Sequence, residues 1–177
     1  MSDTKFQQSY TIFLIGGHGT GKTSFIERHK TGQFIEKYVP TLTLKSQSLK
    51  FNTTLGLVNL TVYDCPVDDQ KYLTQKCDAV ISFYTSQSHN KTQELLDSYT
   101  KCHPGVLVVT VWGLCDLKEE TRFMKPYMKT ESGCKFLTKG KQIYQVSGKS
   151  NYNFEKPFLY IMRQLSGNQS LNFAPFK

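Results

Sequence analysis

Eight consecutive residues, Gly16-Gly17-His18-Gly19-Thr20-Gly21-Lys22-Thr23, fit the pattern G-x-x-x-x-G-K-[ST] at every fixed position. Glycines in such a run let successive backbone N–H groups turn inward onto phosphate oxygens, and a helix starting there adds the positive end of its dipole. The expected phosphate-contacting positions are Gly17, His18, Gly19, Thr20, Gly21, Lys22 and Thr23. Lys22 supplies a mobile point charge for β- and γ-phosphates, and Thr23 a hydroxyl for Mg²⁺. The competing reading is a chance glycine-rich turn. Against it, the apolar Thr11-Ile12-Phe13-Leu14-Ile15 precedes the loop and the helical Ser24-Phe25-Ile26-Glu27-Arg28-His29 follows, which is the context the motif requires.

The surrounding elements follow from periodicity and turn chemistry. The first helix should stop near His29-Lys30-Thr31-Gly32, with Gly32 as terminator. Thr43 to Phe51 and Leu57 to Asp64 alternate partially around Asn52-Thr53-Thr54 and Gly56, which predicts an antiparallel hairpin. Asp64 then falls at a strand's C-terminal end, where an open α/β sheet presents side chains to a ligand and an acid can reach a phosphate-bound metal. Buried strands are predicted over Ala79 to Tyr84 and Gly105 to Trp112, with a helix over Lys91 to Cys102 between them. Further predictions are a helix near Glu119 to Met128, a short strand at Gln142 to Val146 and a final helix from Phe154 to Leu165, with Pro157 in its first turn. Strands alternating with helices after a phosphate loop argue for a three-layer α/β sheet, mostly parallel, with one antiparallel edge strand. Tyr72, Tyr84 and Trp112 are expected as core or rim residues.

The length of 177 residues suits one domain, and no linker-like composition divides it. Lys and Arg outnumber Asp and Glu by 22 to 14, giving a net charge of +8 that favours acidic partners of some kind. Lys135, Lys139 and Lys141 form no compact cluster, so a nucleic-acid partner is disfavoured. The 5 cysteines, Cys65, Cys77, Cys102, Cys115 and Cys134, are odd in number and scattered, which points to reduced thiols in an intracellular protein. Sequons begin at Asn52, Asn59, Asn90 and Asn168, but the N-terminus has no signal-peptide pattern. No segment approaches membrane-spanning length, and the terminal Asn172 to Lys177 has no cysteine for prenylation, so no membrane anchor is expected.

The landmarks after the phosphate loop are Phe34, Tyr38-Val39-Pro40-Thr41, Asp64, Asp116 and Ser147-Gly148-Lys149. In this order they resemble the Ras superfamily of small GTPases. More narrowly, Arg28-His29, Thr31-Gly32, Lys37-Tyr38-Val39 and the run Lys149-Ser150-Asn151-Tyr152-Asn153-Phe154-Glu155-Lys156-Pro157-Phe158-Leu159 are similar to the Ran subfamily, its nuclear-transport branch. The resemblance implies the P-loop small G-protein fold with a six-stranded sheet. It also implies GTP/GDP and Mg²⁺ as ligands, a monomer, and a division into residues 1–9, a G domain over 10–166 and an extension over 167–177. Thr23, Thr41 and Asp64 would serve the metal, and Tyr38 and Thr41 would belong to switch I. Phe34, Asp116, Ser147, Gly148 and Lys149 would meet the base, Asp116 by accepting from guanine N1 and the exocyclic amine. The alternatives are core packing for Phe34, a helix cap for Asp116 and a turn for Ser147. Importin- or exportin-type receptors or regulators of that branch would be partners, and nucleus and cytoplasm the location.

The chain departs from this pattern in four places. Where the family has D-x-x-G-Q, it reads Asp64-Cys65-Pro66-Val67-Asp68, so the γ-phosphate glycine is Val67 and the water-positioning glutamine is Asp68. The segment from Asp64 to Ala79 is several residues shorter than in the Ran subfamily, so its reach to the nucleotide is not assured. His18 stands where hydrolytically competent relatives usually have glycine; crowding is the leading reading there, and a new general base the other. The base motif N-K-x-D is Gly113-Leu114-Cys115-Asp116. Weak or absent intrinsic hydrolysis is therefore expected, with affinity lowered by roughly a factor of 10 to 1,000 through two lost contacts. The sequence ends at Lys177, without the subfamily's acidic tail, and the stretch from Asp116 to Ser147 is longer than in that subfamily.

Overall fold

A computed structural model describes residues 7–34, 36–37, 39–120, 122 and 142–175. Its elements are β1 (Gln7–Gly16), α1 (Lys22–Thr31), β2 (Lys45–Thr53), β3 (Gly56–Asp64), a short 3₁₀ turn (Gln70–Thr74), β4 (Ala79–Tyr84), α2 (His89–Cys102), β5 (Leu107–Trp112), β6 (Gln142–Gln145) and α3 (Lys156–Ser166). The strands form one six-stranded sheet in the order β2-β3-β1-β4-β5-β6. The β2–β3 pair is antiparallel and the other neighbours are parallel, so the expected antiparallel edge strand is β2.

The central strands are apolar on both faces because helices cover both. Side chains alternate along β1. Ile12 and Leu14 join Phe25 and Ile26 of α1 and Phe158, Ile161 and Met162 of α3 on one face. Phe13 and Ile15 join Leu95, Leu96 and Tyr99 of α2 on the other. The parallel register runs Phe13 opposite Tyr63 and Val80, which aligns the C-terminal ends of β1, β3 and β4 along one rim. Tyr72, Tyr84 and Trp112 are all core residues, each no more than 2% exposed.

Local chemistry sets the element ends. Gly32 has φ 73° and donates its N–H to Arg28 O at 2.9 Å, closing α1. β5 starts at Leu107 rather than Gly105 because Gly105 is left-handed at φ 84°. α3 starts at Lys156 rather than Phe154 because Asn151 and Asn153 are left-handed, at φ 59° and 52°. Strand β1 begins at Gln7, ahead of residue 10. The helix predicted over 119–128 is helical at 118–120 and at 122, and its remaining residues lie outside the described ones. Beyond α3 the chain returns to the hairpin tip, where Thr54 N–H donates to Asn172 O at 2.9 Å and Ala174 N–H to Asn52 O at 2.8 Å. No helix among the described residues is long and apolar enough to cross a membrane.

Candidate functional site

The loop between β1 and α1 uses its glycines in two ways. Gly19 and Gly21 have φ of 68° and 92°, a region that favours glycine, with open space beside them. Gly16 and Gly17 are needed for close approach. A Cβ on Gly16 would lie 2.7 Å from Phe83 O, and one on Gly17 2.7 Å from Ser88 Cβ. The Gly17 N–H donates to Thr92 Oγ1 at 3.0 Å and is thereby already occupied. Its carbonyl accepts from Thr20 Oγ1 and from Lys22 Nζ, both at 3.0 Å. Lys22 Nζ also reaches Gly16 O at 2.7 Å. Burial pushes the Lys22 ammonium pKa down, and the Asp64 carboxylate partly offsets this. An incoming phosphate would stabilise that charge further.

Three oxygens converge beside Lys22. Thr23 Oγ1 donates to Asp64 Oδ2 at 2.5 Å, Thr41 Oγ1 reaches the same oxygen at 2.9 Å, and the two hydroxyls lie 3.0 Å apart. Asp64 is 3% exposed and its Oδ1 is buried without a hydrogen-bond partner. A buried carboxylate oxygen with no donor, beside two hydroxyls at the lip of a phosphate loop, fits a hard divalent cation. Among the described residues no cluster of three or more His, Cys, Asp or Glu could hold a metal ion. A cation held by these three oxygens would need phosphate and water oxygens to complete its shell, as Mg²⁺ does.

The shortened segment after β3 does reach this end of the site. Cys65, Pro66 and Val67 line a small cavity with His18 to Ser24 and Thr41. Val67 and Cys65 are also packed into the core under α2. Asp68 turns outward and its Oδ2 lies 3.3 Å from His18 Nε2. The two substituted positions thus face one another across the mouth, both at the surface.

At the other end a cavity of about 240 Å³ opens between Gly19 to Gly21, Phe25, Phe34, Phe83, Gly113, Leu114, Val146 and Gly148. It shares Gly19, Thr20, Gly21 and Ser24 with the first cavity, so one elongated ligand can span both. The Phe34 ring lies against Gly148, where a Cβ would be 3.5 Å from it. Ser147 Oγ donates to Asp116 Oδ1 at 2.6 Å and accepts from Ser150 N–H at 3.1 Å, which orients the carboxylate. Lys149 Nζ pairs with Glu36 Oε1 at 3.6 Å over the rim. Tyr38 lies outside the described residues.

Three parts of this site escaped the sequence. Thr92 joins it from α2, across a separation of 75 residues. Gly113 is a contact rather than only a missing asparagine, since a Cβ there would lie 2.6 Å from Thr20 O. Glu120, 5% exposed, accepts from Ser86 N–H at 2.8 Å, Ser86 Oγ at 2.7 Å and Trp112 Nε1 at 3.0 Å, bracing the ends of β4 and β5. Only the glycine had a signal, as a small residue directly after a buried strand. Residues 11–167 match the Ras family.

Proposed function

The chain belongs to the Ras family of small GTPases, and from that premise we propose that it binds GTP and GDP with Mg²⁺ but hydrolyses GTP slowly or not at all, acting through protein contacts. The observation that carries the binding half is the convergence of Thr23, Thr41 and the half-partnered Asp64 beside Lys22. Thr23, Thr41 and Asp64 would hold a magnesium ion, which would supply positive charge to neutralise the phosphates. The protein's own part is to hold the phosphates on the loop, lend the Lys22 charge, and orient Asp116 toward the base through Ser147. Guanine selectivity rests on Asp116, because adenine has no donor pair to match a carboxylate.

Weak hydrolysis follows from the segment after β3. A carboxylate near a triphosphate repels the charge it would have to stabilise, so Asp68 is a poor substitute for an amide that positions water. Val67 is fixed in the core and offers neither the flexibility nor the close backbone approach of glycine. A second reading, a working GTPase whose partner supplies the missing groups in trans, is favoured by the open mouth at His18 and Asp68. A nucleotide-free scaffold is the third.

Within the family the finer placement is a Ran-like protein engaging importin- or exportin-type receptors or Ran regulators, in nucleus and cytoplasm. What supports it is the run Lys149 to Leu159 and the retained Thr41. Titration of nucleotide-stripped protein with GTP, GDP and ATP in Mg²⁺, with Lys22→Ala as control, tests the binding. Selective, Lys22-dependent guanine binding is expected. No heat at roughly 1 mM ligand, about −4 kcal/mol, would overturn it. Phosphate release over several turnovers without any partner would overturn slow hydrolysis, and failure to retain any importin-type receptor with a GTP analogue would overturn the Ran-like placement.

A further inference from the structure

We infer that Thr92, on the first turns of α2, is a positioning residue for the phosphate loop and sets the grip on a ligand's β-phosphate. The inference rests on the nucleotide-binding reading above. Thr92 is fully buried, and its one hydroxyl is used in both directions. It donates its proton to Phe83 O at 2.8 Å, at the end of β4, and accepts the Gly17 N–H at 3.0 Å. Phe83 O is also the atom against which Gly16 packs. One hydroxyl therefore pins the loop's entry to the sheet and to α2 together.

The helix turn that carries Thr92 is itself fixed. Thr92 N–H donates to Ser88 O at 2.9 Å, and Ser88 Oγ lies 2.7 Å from Thr85 Oγ1. Ser88 also fills the space beside Gly17, leaving no room for a Cβ there. The Gly16–Gly17 peptide is thus held from both sides, its N–H by α2 and its carbonyl, that of Gly16, by Lys22, the group expected to meet phosphate. Without the Thr92 hydroxyl a buried N–H loses its acceptor and the peptide is free to rotate. The Gly16 carbonyl that aligns Lys22 then moves with it. The consequence falls first on the phosphate contacts, because the far side of the base cavity, at Phe34, Leu114, Val146 and Gly148, lies outside this network.

The test compares GDP with GMP, which lacks the β-phosphate, on the full chain in Mg²⁺. Thr92→Val keeps shape and removes the hydroxyl; Thr92→Ser keeps the hydroxyl. GDP affinity should fall by at least about tenfold in Thr92→Val, as expected for an unsatisfied buried N–H, while GMP affinity changes little. Thr92→Ser should restore GDP binding to within about twofold. General loosening of the fold would weaken both ligands alike, so an unchanged GDP-to-GMP ratio overturns the inference. Should Thr92→Val fail to fold, Thr92→Cys, with a weaker acceptor of similar size, must lower the same ratio or the inference fails. If the unsubstituted protein binds neither ligand, the nucleotide reading fails first and takes this inference with it.

Discussion

Thr41 Oγ1 donates to Asp64 Oδ2 at 2.9 Å, joining the exposed stretch after α1 to the buried end of β3. Because Thr23 shares that oxygen and Asp64 Oδ1 has no partner, the carboxylate is the hub of the phosphate end. Asp64→Asn keeps the shape and removes the charge a cation would need. Mg²⁺ affinity in the GDP complex should fall roughly 10–100-fold. The readout is GDP release against Mg²⁺ concentration, where the variant should respond only at higher metal.

Gly113 occupies the position at which the family pattern has asparagine, and restoring that residue looks like a repair. The packing predicts the opposite. A Cβ 2.6 Å from the Thr20 carbonyl meets backbone, which cannot rotate away. Gly113→Asn should cost about 1–3 kcal/mol of stability by overpacking, read from urea unfolding, and should weaken GDP binding because the displaced group belongs to the phosphate loop.

His29 makes stability depend on mild acid. Burial against Phe25, Phe154 and Phe158 lowers its pKa to about 4. The unfolded chain, with a pKa near 6.5, binds the proton first, so between pH 6.5 and 4 the unfolded state holds more protons and stability falls as pH falls. The loss should approach about 3 kcal/mol at pH 4 and be absent above pH 7. Urea midpoints across this range, compared with His29→Leu, check it. The slope due to this residue should vanish in the variant.

Val67→Gly would restore the family's residue at that position. It also removes a 5% exposed side chain from the core and adds backbone entropy to the unfolded chain. A loss of roughly 2–4 kcal/mol is expected by chemical unfolding. Single-turnover GTP hydrolysis should stay near the background rate, because Asp68 still occupies the water-positioning place.

The fold was legible because its signals are local. The phosphate loop, the apolar run Ile12 to Ile15, the hairpin turn at Asn52 to Gly56 and the stop at Gly32 each carry their own chemistry within a few residues. Element ends were missed where a backbone choice is not dictated by residue type, as at left-handed Asn151 and Asn153. The site was readable only where a motif names it. Thr92 looks like any helix threonine until the fold brings it to Gly17, and Val67 looks like a damaged loop residue until β3 delivers it beneath α2. Such contacts depend on packing between segments distant in sequence, which periodicity does not encode.

Anchoring of Cys65 and Val67 under α2 has a consequence for how a nucleotide state is displayed. Moving that loop away from the site means withdrawing both side chains from the core, at roughly 1.5–3 kcal/mol for a fully buried Val alone, so on the order of one molecule in a hundred is withdrawn at equilibrium. The stretch before β2 is held less deeply, with Leu44 only half-buried against that core and Val39 64% and Leu42 72% exposed on either side of Thr41. A binding partner would therefore meet two adjoining surfaces, one that follows the γ-phosphate through Thr41 and one that stays the same in every state.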